Sequence, residues 1–387
     1  MEGCILIKFL QIVSIMIGLS VVTVMVALIV ILNGHIHFLP LVYTVPVCLF
    51  VLFVGGIFNW IHTKKKRRWL RSVIGVAIVI ALIPPIQHYY KLSIPTVDAE
   101  IDVSAYQPFT RGNQVVKPDE KASLQLTEPL PHLDGATAMY PLYAAFVEAT
   151  YPEGDYQPYN SRVQVSRTPE AYQNLIAGNV DLIFVAAPSA SQEWQAEKEG
   201  LTFDMTPIGR EAFVFFVHHK NSVDNVTLEQ VKKIYAGEIT NWRDVGGDDE
   251  AIRAFQRPAD SGSQTTLEKL MGNMPIMKAP SENIASGMGG IIHEVSQYRN
   301  YKNAMGYTFR YYSTEMVQNK KIKLLSIDGV APTKENIRNG TYPLVSEFYA
   351  VTAGAENENV QKLMDWILTD EGQALVEKVG YVPVENY

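Results

Sequence analysis

Two cysteines, Cys4 and Cys48, are all that the 387 residues contain, and both lie in the apolar first third. The remaining two thirds therefore hold no thiol, disulfide or cysteine metal site, which suits a domain exposed to an oxidising exterior and stabilised by its core alone. No apolar stretch precedes Cys4, so lipidation there is not expected. Positive charge is scarce as well. Of the 33 basic and 40 acidic residues in the chain, residues 1–90 take seven and one, which leaves 26 and 39 for residues 91–387. A part that acidic lacks the basic patches that nucleic acid or an anionic lipid surface needs. Internal repeats and low-complexity tracts are also missing, which sets aside solenoids and disordered tails.

What the first ninety residues do contain is apolar sequence. Ile5–Leu32 and Leu39–Ile61 are each long enough for a bilayer span, and Ser72–Ile86 is a shorter third. Pro84-Pro85 is expected to end that third helix at its outer edge. The block from Lys64 to Arg68, with Arg71, separates spans two and three and is expected on the cytoplasmic side. The amino terminus then lies inside, and everything after Tyr90 is exported. Residues 91–130, rich in Pro, Asp, Gln and Thr, read as an extracytoplasmic linker.

From Leu133 onward, strand-like runs alternate with helical ones. Leu182–Val185, Ala212–His218, Ile252–Phe255, Ile322–Ser326 and Leu344–Ala350 are strand candidates, and Ala171–Ala177, Glu358–Leu368 and Glu371–Val379 carry helical periodicity. The alternation predicts an α/β class with mainly parallel sheets, whose ligands sit where strands end and helices begin. Three such junctions share one chemistry. Asp134–Pro141 offers a Gly turn and the hydroxyl of Thr137. Ser166–Glu170 offers Thr168 as a helix N-cap with Pro169 behind it. Arg257–Ser263 joins a fixed guanidinium to two hydroxyls at a Gly-relaxed helix start, a good match to a tetrahedral oxyanion. The ordinary role of a Ser or Thr before a helix is to cap it, so each junction alone carries little weight.

Together these residues resemble the phosphate-binding proteins of bacterial phosphate ABC transporters, within the type II periplasmic-binding-protein fold. The markers are DGATAMYPLY (134–143), AGNVDLIFVAAPS (177–189), YAGEITNWRDVGG (235–247), RPADSGSQT (257–265) and NAMGYTF (303–309). The resemblance implies a solute-binding domain over 131–387. Lobe one would be 131–214 with 310–387 and lobe two 215–309, joined by crossovers near Ala212–His218 and Ala304–Phe309. It also implies phosphate ligands at Thr137, the Ala138 amide, Thr168, Arg257, Ser261, Gly262 and Ser263. No catalysis, cofactor or metal is implied, and the expected partners are phosphate and an ABC permease.

The sequence departs from the family at the carboxylate that takes the proton of hydrogen phosphate, where Ala187 stands. Ser189, Asp134, Glu211 and Asp260 are the candidates to replace it. The anchor is a second departure, and it raises the alternatives of a tethered phosphate sensor or scavenger, or of a protein-interaction ectodomain. A hydrolase with Ser261 or Ser263 as nucleophile would need a base brought from His218, His219 or His293. His218-His219 is a poor chelating pair if the two side chains point to opposite faces of a strand. Ser286–Gly290 reads as a flexible lobe-two segment near the cleft, Trp242 as packing under a turn, and Tyr298, Tyr301, Tyr307, Tyr311 and Tyr312 as core and interlobe surface.

Overall fold

The computed structural model describes residues 2–58, 60, 63–93, 96–97, 102–278, 298–299, 301–316, 318 and 320–384. The chain forms two units, Met1–Pro95 and Thr96–Tyr387. The first holds three helices, α1 (Glu2–Leu32), α2 (Leu39–Ile57) and α3 (Lys64–Ser93). Leu6–Leu32, Ile36–Ile57 and Lys64–Tyr90 are long and apolar enough to cross a membrane. Side chains such as Val22, Phe53 and Ile80 are exposed, as lipid-facing residues would be. Pro84 and Pro85 lie inside α3 and do not end it. They withdraw the amide donors for the Ile80 and Ala81 carbonyls, but their fixed φ is itself helical, and apolar spanning helices tolerate the loss.

The second unit opens with β1 (Thr96–Val97) and continues through β2 (Leu133–Gly135), α4 (Tyr140–Thr150), α5 (Thr168–Ile176), β3 (Leu182–Val185), α6 (Ala190–Lys198) and the long β4 (Asp204–His218). There follow β5 (Asn225–Val226), α7 (Leu228–Ala236), β6 (Arg253–Ala254), α8 (Gly262–Met271), β7 (Tyr298–Arg299) and β8 (Ala304–Phe309). The chain returns through β9 (Ile322–Leu324), β10 (Ser326–Ile327), α9 (Lys334–Arg338), β11 (Val345–Thr352), α10 (Glu358–Ile367) and α11 (Asp370–Val379). The main sheet runs β2-β3-β11-β4-β8-β6, with β9 also on β4.

Only β2–β3 and β6–β8 in that sheet are parallel. β11 pairs antiparallel with β3 and β4, and β4 pairs antiparallel with β8 and β9. The expectation of mainly parallel sheets thus gives way to a mixed one. The reason is β4, which pairs β11 along Asp204–Ala212 and β8 along Phe213–Val217, so one strand serves two lobes. Its second half, AFVFFV, is buried throughout, as a strand covered on both faces must be.

The hydrophobic core changes identity along β4. Ile208 packs with Tyr143, Phe146, Phe184 and Trp366, whereas Phe213 and Phe215 pack with Tyr235, Trp242 and Tyr307. α10 shows how lobe one is covered, burying Val360, Leu363, Met364 and Ile367 at helical spacing. Trp242 is buried and its indole N–H donates to the Asn303 carbonyl at 2.9 Å.

Two boundaries differ from the sequence reading. Leu325, Ile327, Ile337 and Leu344 join the lobe-two core, because β9 pairs β4 and β10 pairs β5. The stretch from 103 to 130, read as linker, is a strap on lobe one. Val103, Val115, Leu126 and Leu130 are buried in its core, Glu148 takes the Phe109 amide and Lys117, and Glu371 takes Ser123. Its apolar residues are spaced too irregularly for helix or strand, so composition alone suggests a loop.

Candidate functional site

The site is built from the ends of strands. On lobe one, β2 stops at Gly135, where a Cβ would stand 2.5 Å from the Phe184 carbonyl oxygen, so only glycine allows this close strand pair. Asp134 is fully buried and gathers five donors. Its Oδ1 accepts from the amides of Gly135 (2.7 Å) and Ser166 (2.8 Å). Its Oδ2 accepts from Ser166 Oγ (2.5 Å), Gln164 Nε2 (3.0 Å) and Asn174 Nδ2 (2.9 Å). These bonds, with the Arg167 amide on the Gly135 carbonyl at 3.1 Å, stitch the Thr137 loop to the Thr168 loop.

On lobe two, the Arg257 amide donates to Tyr307 Oη (2.9 Å) and Gln264 Oε1 (3.1 Å), while the Tyr307 hydroxyl donates to Gln264. Asp260, at φ +63°, turns the chain into α8. Gln264 stands three residues past Ser261, the spacing of a capping box. Its amide is spent instead on the backbone of Arg257, an organising role that the sequence reading missed and that this spacing hints at.

The helix starts of this unit fall into two groups. α6, α7, α9, α10 and α11 are capped by the side chains of Ser189, Thr227, Thr333, Asn357 and Thr369. Among the described residues of this unit, the α-helices without a side-chain cap are α4 (preceded by the Thr137–Met139 turn), α5 and α8. Thr168 is not the cap of α5 but its first residue, because Arg167, at φ +76°, holds the cap position. The Thr168 hydroxyl is therefore not consumed by capping, and Ser261 Oγ donates to the Pro258 carbonyl at 2.9 Å instead of capping α8. Amides left without caps at helix starts favour an anion.

The two sides meet. A Cβ on Gly262 would lie 3.2 Å from Thr168 Oγ1 and 3.3 Å from the Ala186 methyl. Ser189 Oγ donates to Asp260 Oδ1 at 2.6 Å, and Gln192 Nε2 to the Asp260 carbonyl at 3.2 Å. Thr168 and Ala138 line one small cavity of about 30 Å³ with Ala186, Glu211, Tyr311 and Glu347. Arg257, Ser261, Gly262 and Ser263 do not line that cavity, nor does Thr137.

The four candidate replacements for the proton acceptor separate clearly. Asp134 is saturated, and Ser189 and Asp260 are turned on each other. Glu211 lines the cavity, with Oε1 on the Ala212 amide (2.9 Å) and Oε2 on the Tyr311 amide (2.8 Å). Burial pushes its carboxyl up to about 7, against the pull of those amides, Arg310 and Lys334. The residue facing the cavity and Gly262 is Ala186, the neighbour of the Ala187 that the family resemblance singled out.

Other candidates fall away. His218 and His219 do not splay: β4 ends at His218, and the rings lie 4.4 Å apart with Nδ1 of each engaged by backbone. Tyr307 is lobe-two core and Tyr311 stacks on Tyr381 at 4.2 Å, while Tyr301 faces Phe255. Ser286–Gly290 and His293 lie outside the described residues.

A two-lobed α/β domain whose halves share one crossing strand, with uncapped helix starts turned toward the gap between them, is the architecture of a solute-binding protein. Residues 128–371 match the model of the PBP superfamily domain, and the chain belongs to that superfamily of periplasmic-binding-protein folds. Among curated proteins it is similar to the phosphate-binding protein PstS of Bacillus subtilis, with 28% identity over 277 residues that cover 70% of this chain and 84% of that one. The phosphate-binding protein PstS of Borreliella burgdorferi is 25% identical over 270 residues, 68% of this chain and 92% of its own. Among solved structures, an ABC-type phosphate transport receptor from Vibrio cholerae aligns over 65% of this chain and 99% of its own, at 20% identity and a TM-score of 0.47.

Proposed function

We propose that the domain binds inorganic phosphate outside the membrane and presents it to an ABC permease. Thr137, the Ala138 amide and Thr168 would bind from lobe one, and Arg257, Ser261, Gly262 and Ser263 from lobe two. The observation that carries this reading is the set of uncapped helix starts, α5 and α8 above all, which approach each other at Thr168 and Gly262. Curated relatives named as phosphate-binding proteins support the choice of anion. Binding would need no covalent step, and the Ser261 hydroxyl donates to the Pro258 carbonyl and, among the described residues, to no histidine.

The membrane reading belongs to the same proposal. Three spans would hold the domain at the outer surface, with Lys64–Arg71 and the amino terminus cytoplasmic. This anchor favours a second possibility, a tethered phosphate sensor. Deleting the protein should abolish phosphate uptake if it serves a permease, and alter gene regulation with uptake intact if it senses.

The binding test is calorimetry on the full chain in detergent. Phosphate should bind with micromolar or tighter affinity, and Arg257→Ala should weaken it about 100-fold, the loss of two charge-assisted hydrogen bonds. A folded protein that shows no phosphate binding would overturn the reading.

A further inference from the structure

We propose that Glu211 is the residue by which this domain distinguishes hydrogen phosphate from sulfate, acting across the small cavity it shares with Thr168, Ala138 and Ala186. This inference rests on the phosphate-binding reading above. Hydrogen phosphate carries an O–H that must be accepted, whereas sulfate carries none near neutral pH. At Ala186 the side chain on the cavity is a methyl, and the Ala186 carbonyl already accepts from Tyr172 Oη at 2.9 Å. The carboxylates elsewhere are committed: Asp134 holds five donors within lobe one, and Asp260 takes the Ser189 hydroxyl. Glu347 also lines the cavity, but it is exposed and accepts from Tyr349 Oη at 2.9 Å. Glu211 is buried, and each of its oxygens accepts a single backbone amide, which leaves one lone pair on each for a ligand.

The cavity is about 30 Å³, room for one or two waters but not for the anion, so a phosphate held at Thr168 and Ala138 would reach the carboxylate through water in that space. The charged and titratable groups around Glu211 are Arg310, Lys334, Tyr311 and Tyr381, with Glu347 across the cavity. Arg310 is paired with Glu315 at 3.0 Å, so it does not form a close ion pair with Glu211. The balance of protons then differs between the two anions. Hydrogen phosphate donates its own proton to the carboxylate. Sulfate binds well only when Glu211 has taken one from solvent, and burial already holds that carboxyl near 7. Above about pH 7, sulfate affinity should fall close to tenfold per pH unit while phosphate affinity stays nearly flat.

The test titrates both anions into the full chain in detergent between about pH 6 and pH 8.5, for wild type, Glu211→Gln and, as a control, Glu199→Gln at the exposed end of α6. Wild type should prefer phosphate by at least about 100-fold at the alkaline end, with the sulfate slope described. Glu211→Gln should cut the preference below about tenfold and flatten the sulfate slope, and Glu199→Gln should leave both unchanged. A folded Glu211→Gln protein with wild-type preference and slope overturns the proposal. Should that variant fail to fold, the wild-type titration decides alone: a pH-independent sulfate affinity, or no preference at the alkaline end, overturns it. A wild type that binds no phosphate sinks the functional reading itself, a distinct outcome.

Discussion

The two banks of the cleft are organised by different means. On lobe one a buried charge, Asp134, draws two loops together through five donors. On lobe two the Arg257 loop is held by neutral groups, the Gln264 amide and the Tyr307 hydroxyl. The difference follows from what each bank is proposed to offer. Lobe one brings hydroxyls and amides, which a carboxylate behind them can order. Lobe two brings the guanidinium, and the described groups that hold its backbone amide, Gln264 and Tyr307, are neutral. The Arg257 loop is also tied across the gap, since Ser189 and Gln192 of lobe one both bond Asp260, whereas the five bonds to Asp134 all come from lobe one itself.

Four measurements would sharpen or break that contrast. Asp134→Asn places an amide where Oδ2 meets three donors, and should lower the unfolding free energy by about 3 to 4 kcal/mol, seen in denaturant melts. Loss of under 1 kcal/mol would mean that the loops are held by something else. Glu211 comes next. Its folded-state carboxyl binds a proton more tightly than the unfolded chain, so its contribution is full below about pH 4.5 and is lost as pH rises through about 7. That amounts to on the order of 3 kcal/mol, and Glu211→Gln should flatten the stability profile across this window. Gly262→Ala should weaken phosphate binding about tenfold in calorimetry, because the added methyl would stand 3.2 Å from Thr168 Oγ1 and 3.3 Å from the Ala186 methyl across the gap between the banks. The smallest effect is expected from Ser189→Ala, which removes both the α6 cap and the bond to Asp260, at about 1 kcal/mol in stability and a few-fold in affinity.

The motifs in the sequence mark loops that the structure brings together at Thr168 and Gly262, but not the division of labour within them. Thr168 reads as a cap because Thr before Pro is a good one, and only the left-handed turn at Arg167 moves it one place into the helix. Asp134 reads as a possible ligand for the anion, since its five donors come from positions up to 40 residues away that no spacing reveals. Ala186 and Ala187 cannot be told apart until the strand's facing is known. The strap from 103 to 130 is invisible for a similar reason: its order comes from Glu148 and Glu371 on distant helices, not from local periodicity. The amphipathic α10 and the apolar β4, by contrast, are set by patterns within themselves, and both appear in the sequence nearly at their observed limits or, for β4, as its buried half.

The place of β11 governs how the exported domain can be assembled. Val345–Thr352 sits between β3 and β4 in the sheet, yet it is the last strand of that sheet to leave the ribosome. While earlier segments emerge, β3 and β4 must wait side by side with a gap between them and their backbone groups unmatched, the condition in which strands recruit wrong neighbours. Lobe one is thus the first begun and the last finished, and a chain cut short before residue 345 would reach the far side of the membrane with its central seam open.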